Sequence, residues 1–320
     1  MRKAVLTAVA LLGAGAAVAA TTSATAARTE DAPAPAAGRW QQIGHDMRSG
    51  ISGLAVTSRS GGTYRALIAR DNKRPGENRV ARLTYHPGEP ARTPAAQPLE
   101  WRGSAEPNDL EALEAVPGAP GEYLAVASRG LVYRLQVTAD GDAVEVRDLS
   151  PLPAIGQGDN FESFTLASRH GRLAAAWADR GEGADRPATL YTAPLSFNKY
   201  GETVFGAVTK ATTYRAPYPT GDVRHVADLT VTDSGRLLVA SASDAGDDGP
   251  FDSAVTDAGT LSLDATGEVR LSLAETPEVV RKFQGRKIEA VECVPGSDTA
   301  LLGTDDENTG GAVTTARICD

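Results

Sequence analysis

Three glutamates recur in the same short setting: Leu110-Glu111-Ala112-Leu113, Phe161-Glu162-Ser163-Phe164 and Ile288-Glu289-Ala290-Val291. An acid fixed between apolar neighbours is costly to bury unless it meets a cation or keeps its proton. Repeated acids of this kind therefore point to cation binding or acid–base chemistry. Two looser copies, Ile51-Ser52-Gly53-Leu54 and Val226-Ala227-Asp228-Leu229, bring the count to five. If equivalent positions converge, Glu111, Glu162 and Glu289 with Ser52 and Asp228 form an oxygen-rich shell, and calcium is the hard extracellular cation that suits it.

The copies are spaced at about 50 to 65 residues, the period of repeated supersecondary units. In each unit a second apolar run follows a Gly- or Asp-marked turn, as at Ser60-Gly61-Gly62 and Asp233-Ser234-Gly235, and a third run follows that. Weaker fourth runs lie around 143–146 and 268–272. Short Val-, Leu- and Ala-rich runs between such turns are strands. The only helical hint is a turn near 277–283. The chain thus reads as all-β, and four-stranded meanders at this period predict a β-propeller of five blades. The last unit runs out after three strands, and a lone strand at 39–44 supplies the fourth, leaving no bare edge. Six blades or a split sandwich are the alternatives.

Strand direction predicts an acidic rim beside the channel acids. The second run ends on Asp71, Asp179, Asp244 and Asp305 in four units, and on Ser128-Arg129 in the other. The competing reading of each Asp is a turn residue bonding its own backbone. Glu114 and Glu292 repeat three residues after two of the channel acids and read as outward-facing. Asp244-Ala245-Gly246-Asp247-Asp248-Gly249 lacks the Glu that closes a calcium loop and reads as a solvated turn. Of four histidines, His225 alone precedes a channel strand and is the one catalytic acid–base candidate. No nucleophile elbow, phosphate-binding loop or zinc motif is present.

The N-terminus carries Arg2-Lys3, a short Ala/Leu/Val stretch and small-residue exit sites, which predicts a signal peptide over 1–27 and export. Residues 28–38 are Ala- and Pro-rich and read as a disordered leader before a single domain at 39–320. The formal charge of −9 becomes more negative once Arg2 and Lys3 are removed, which argues against nucleic-acid binding. Cys293 and Cys319, the only cysteines, are expected to pair in an oxidising compartment. After signal cleavage no membrane span remains, and a monomer is expected.

The apolar-Glu-small-apolar openings, the second strands ending in Asp and the secretory leader resemble exported bacterial propellers of the esterase-like phytase and gluconolactonase-like type, and also the calcium-dependent apyrases. The resemblance implies that Glu111, Glu162 and Glu289 hold calcium, on which metal-activated water attacks a phosphate or other ester. Ser52 and Ala227 depart from that pattern, and the expected partner is a small anionic ester. The alternative is a non-catalytic extracellular module that displays loops to a glycan, cell-wall or protein partner.

Overall fold

A computed structural model describes residues 38–89 and 91–320, so the expected signal peptide and most of the leader lie outside the described residues. Five sheets, antiparallel except for one added edge strand, follow one another along the chain. Blade 1 is built from Gly53–Ser60, Thr63–Ala69, Val80–Tyr85 and Ala95–Pro98. Blade 2 is built from Leu110–Ala115, Glu122–Ala127, Leu131–Val137 and Ala143–Pro151, and Glu100–Arg102 adds a parallel edge. In blade 3, Phe161–Arg169, Arg172–Asp179 and Ala188–Phe197 pair in order. Its outer edge is shared by Thr203–Phe205 and Lys210–Tyr214. Blade 4 holds Val223–Val231, Arg236–Ser243, Asp252–Leu263 and Val269–Gln284. Its outermost strand takes in the stretch where a helical turn was expected. The sequence pairs there with Asp252–Leu263 across two register shifts, so the ladder overrides the local hint.

Blade 5 supplies Ile288–Cys293, Thr299–Thr304 and Ala312–Arg317, and Gln41–Gln42 pairs against the last of these. The first described strand thereby completes the last sheet. The expected closure is present, in a strand shorter than the 39–44 run. Cys293 and Cys319 form a disulfide across this blade, with Sγ atoms 2.05 Å apart.

Packing confirms a closed ring. Each of five apolar clusters joins two adjacent blades: Leu67 with Leu113, Leu124 with Phe164, Ala176 with Leu229, Leu238 with Val291, and Ile68 with Ala290. No blade could bury its faces alone, so the ring is the cooperative unit. Trp177 is fully buried between blades and stacks on Tyr191 at 5.6 Å. The first strand of each blade lies innermost and touches its counterparts on either side. Gly53 shows how tight this ring is: a Cβ there would stand 2.6 Å from the Leu113 backbone nitrogen. No helix among the described residues is long and apolar enough to cross a membrane.

Candidate functional site

Each channel glutamate sits at a break in its ladder. The register between the first and second strands shifts between Leu110 and Ala112, between Phe161 and Ser163, and between Ile288 and Ala290. A bulge leaves one residue without a cross-strand partner and re-aims its side chain. Glu111, Glu162 and Glu289 are those residues, and all three line one cavity of about 620 Å³ at the mouth of the channel. They are buried, at 7%, 2% and 3% exposure.

Cations stand between two of them. Arg224 Nη1 lies 2.9 Å from Glu289 Oε1 and 3.6 Å from Glu162 Oε2, while Nη2 lies 2.8 Å from Asp244 Oδ2. Lys287 Nζ is 2.9 Å from Glu289 Oε1 and also meets Glu307. Arg180 stands 3.6 Å from the other oxygen of Glu162. Burial works against the Arg224 and Lys287 charges. The surrounding carboxylates outweigh it, holding both groups above their ordinary values. A lysine kept charged in this way is no nucleophile. Burial pushes the Glu162 carboxyl up to about 7 even though Arg224 and Arg180 oppose the shift.

Glu111 has no such relief. Burial, then the charges of Glu162, Asp109, Glu289 and Asp71, push its carboxyl well above the ordinary range. Its neighbour Asp109 goes the other way: the Lys73 ammonium at 2.8 Å and the Ser128 hydroxyl overcome burial and hold it low. Asp71 is pushed up to about 6 by burial and by Glu289. Burial also raises Asp305, assisted by Glu289 and Asp71. The mouth therefore combines ion pairs with four carboxyls, Glu111, Glu162, Asp71 and Asp305, that are pushed toward the protonated form. Ten acidic and six basic side chains line the cavity, and its one apolar side chain is Met47.

The expected rim separates into two functions. Asp71 and Asp305 line the mouth, and Asp244 holds Arg224 from its side. Asp179 is a turn residue: its carboxylate accepts from the Asn160 and Gly181 backbone N–H groups and pairs with Arg186 at 2.5 Å. In blade 5 the matching bond, from the Lys287 N–H, goes to Asp306, while Asp305 takes only the Glu307 N–H and lines the mouth. Blade 2 exchanges the two side chains, with the Ser128 hydroxyl donating to Asp109.

Of the five residues expected to hold calcium, Glu111, Glu162 and Glu289 line the mouth and Asp228 and Ser52 do not. Asp228 lies one residue past the position that corresponds to the channel glutamates, which Ala227 fills. Its carboxylate accepts the Leu229 N–H at 2.8 Å and the Val291 N–H of blade 5 at 2.7 Å. Ser52 is buried, but its hydroxyl has no hydrogen-bond partner and it does not line the mouth. Glu162 and Glu289 are occupied by Arg224. Among the described residues no three His, Cys, Asp or Glu side chains are grouped to hold a metal ion.

His225 is structural. Its Nδ1 accepts the Ala216 N–H at 3.1 Å and its Nε2 lies 2.8 Å from the Gly183 carbonyl, which fixes a neutral tautomer. Burial lowers its pKa accordingly. Sequence reasoning did not anticipate Lys73, Arg180, Arg224 or Lys287 as charge partners of the channel acids. The signal was available for two of them: Arg224 and Lys287 stand two and one residues before their apolar-acid segments.

No protein-family model matches the chain, and no curated protein matches it. Among solved structures it is similar to a GH43 β-1,3-galactosidase with galactodeoxynojirimycin, at 8% identity and a TM-score of 0.42, covering 88% of this chain and 94% of that one. It is also similar to an exo-1,5-α-L-arabinanase from a bovine ruminal metagenomic library, at 9% identity and a TM-score of 0.46, covering 86% of this chain and 95% of that one. Neither is of the phytase, gluconolactonase or apyrase type, and likeness at this level assigns no chemistry.

Proposed function

We propose that the channel mouth of this exported propeller binds a small ligand that carries positive charge on a polar body. The observation that carries the reading is Glu111, a buried carboxyl that hydrogen-bonds Asp109 and makes no ion pair of its own, Lys73 being paired with Asp109. The Glu111 proton is a stand-in that an ammonium group would replace, because a cation within hydrogen-bond reach favours the ionised form. An organic cation fits better than a bare ion. The carboxyls line a cavity of about 620 Å³, in the range that holds small molecules, and do not close on one point. Calcium would require Glu162 and Glu289 to leave Arg224.

The test is thermal melting with 1,4-diaminobutane, with calcium, and with sodium chloride at matched ionic strength. Binding to the folded state raises Tm by mass action. The diamine is expected to do so, and Glu111→Gln, which keeps the shape and removes the charge, is expected to weaken its apparent affinity about tenfold, as for a lost charge-assisted hydrogen bond. Equal shifts in both proteins would refute the assignment, and a rise with calcium alone would restore the inorganic ion.

A hydrolytic reading has its own support. Glu111 holds a proton while Glu289 lies against Arg224 and Lys287, so the mouth contains a proton donor and an ion-paired carboxylate, the split that acid–base hydrolysis uses. Chromogenic esters and glycosides test it: turnover that falls about 100-fold or more in Glu111→Gln supports a general acid. Turnover unaffected by that change excludes it.

A further inference from the structure

The channel strands open on a second cavity at their far ends, of about 580 Å³. Its inner end carries Glu114 and Glu292, contributed by blades 2 and 5. Both were expected to face outward. The bulges at Glu111 and Glu289 turn the strands so that a residue three positions on faces the channel again. Glu114 is 8% exposed, and its carboxyl takes the Leu166 backbone N–H but no side-chain donor. Glu292 meets only the Thr230 hydroxyl, at 3.4 Å, the outer limit of a hydrogen bond.

The other charged groups of the cavity are already engaged. Arg169 donates to the Leu263 carbonyl at 2.9 Å, and Asp233 accepts the Gly296 N–H at 2.8 Å. Asp228, which lies close enough to be felt by both glutamates, spends its oxygens on the Leu229 and Val291 N–H groups. The carboxyls of buried Glu114 and half-buried Glu292 are thus left facing a space walled in part by Leu166, Val231, Leu261 and Leu263.

We propose that this cavity is a second binding site, for a small aliphatic amine whose ammonium lies between Glu114 and Glu292 and whose hydrocarbon lies along those apolar walls. An ammonium offers three donors to acceptors that have almost none. The proposal is independent of the reading of the mouth. Burial pushes Glu292 up to about 8, and burial with the Glu292 and Asp228 charges pushes Glu114 well above the ordinary range. The empty cavity therefore holds protons at neutral pH, and a bound ammonium expels them.

The experiment is titration calorimetry of the folded chain at pH 7 with butylammonium and with 1-butanol, a neutral molecule of the same reach, in two buffers of different ionisation enthalpy. Butylammonium is expected to bind with a buffer-dependent heat that reports proton release, and 1-butanol about tenfold or more weakly. Measured in Glu111→Gln, which removes the mouth's own affinity for a cation, the difference is expected to persist, and adding Glu292→Gln or Glu114→Gln is expected to abolish it. Equal affinity for the two probes in the wild-type chain, or butylammonium binding without proton release, overturns the proposal even if the variants fail to fold. Loss of binding in Glu111→Gln alone would place the amine at the mouth and also overturn it.

Discussion

Asp228 and Glu111 are buried acids on the first strands of blades 4 and 2, yet their partners give them opposite roles. Asp228 spends its carboxylate on two backbone N–H groups, one of them across the blade boundary. Asp228→Ala would leave both donors buried and unpaired, at about 1–3 kcal/mol each. Chemical denaturation should show that loss with little change in ligand binding. Glu111→Gln should do the reverse, keeping stability and losing the cation. The difference was half legible in the sequence. Apolar flanks announce a buried acid, but whether it meets an N–H group or a cavity depends on a one-residue phase, and Asp228 is out of phase by one.

At the scale of elements, the bulge does the positioning and the corner aspartates hold it. Asp306 accepts the Lys287 N–H at 2.8 Å and the Thr304 hydroxyl at 3.0 Å, and it pairs with Arg286. Asp305 makes one backbone bond, to the Glu307 N–H, and otherwise faces the mouth. Asp306→Ala is expected to lower Tm by more than Asp305→Ala, and only the latter should alter cation affinity selectively. Measuring both on each variant checks the assignment. The second strand, its turn and the acidic corner were readable from alternation and turn residues. Which of two adjacent aspartates held the turn was not, because the bulge adds a residue that pattern spacing does not register. The pairing of Arg224 with the channel acids was illegible for a related reason: its partners Glu162 and Glu289 come from the blades on either side, and no local spacing encodes a contact between Arg224 and Glu289, 65 residues apart.

For the whole molecule, five sheets that each lack a complete core are joined by shared clusters, and a short N-terminal strand with one disulfide closes the ring. The blade count and the closure were legible because both follow from repeat period and a missing fourth strand. The convergence of charge was legible only as a direction. Reducing the Cys293–Cys319 disulfide should cost about 2–5 kcal/mol by releasing the closing blade in the unfolded chain. The ring also gathers an unusual protonation pattern. Asp71, Glu162 and Glu292 are pushed up to about 6, 7 and 8, so the folded state binds protons that the unfolded chain has already released. Their contribution is complete below the unfolded carboxylate range near pH ~4 and is lost as pH rises through those values. Tm should therefore fall from pH 6 to above pH 8, and Glu292→Gln should flatten the upper part of that slope.

The central claim, that the ring places a buried carboxyl without an ion-pair partner in a cavity of ligand size, meets its most direct test in melting curves of the wild-type chain and Glu111→Gln with 1,4-diaminobutane. The account predicts a rise in Tm for the wild type and a much smaller one for the variant. A diamine that moves neither protein, or both alike, would contradict it.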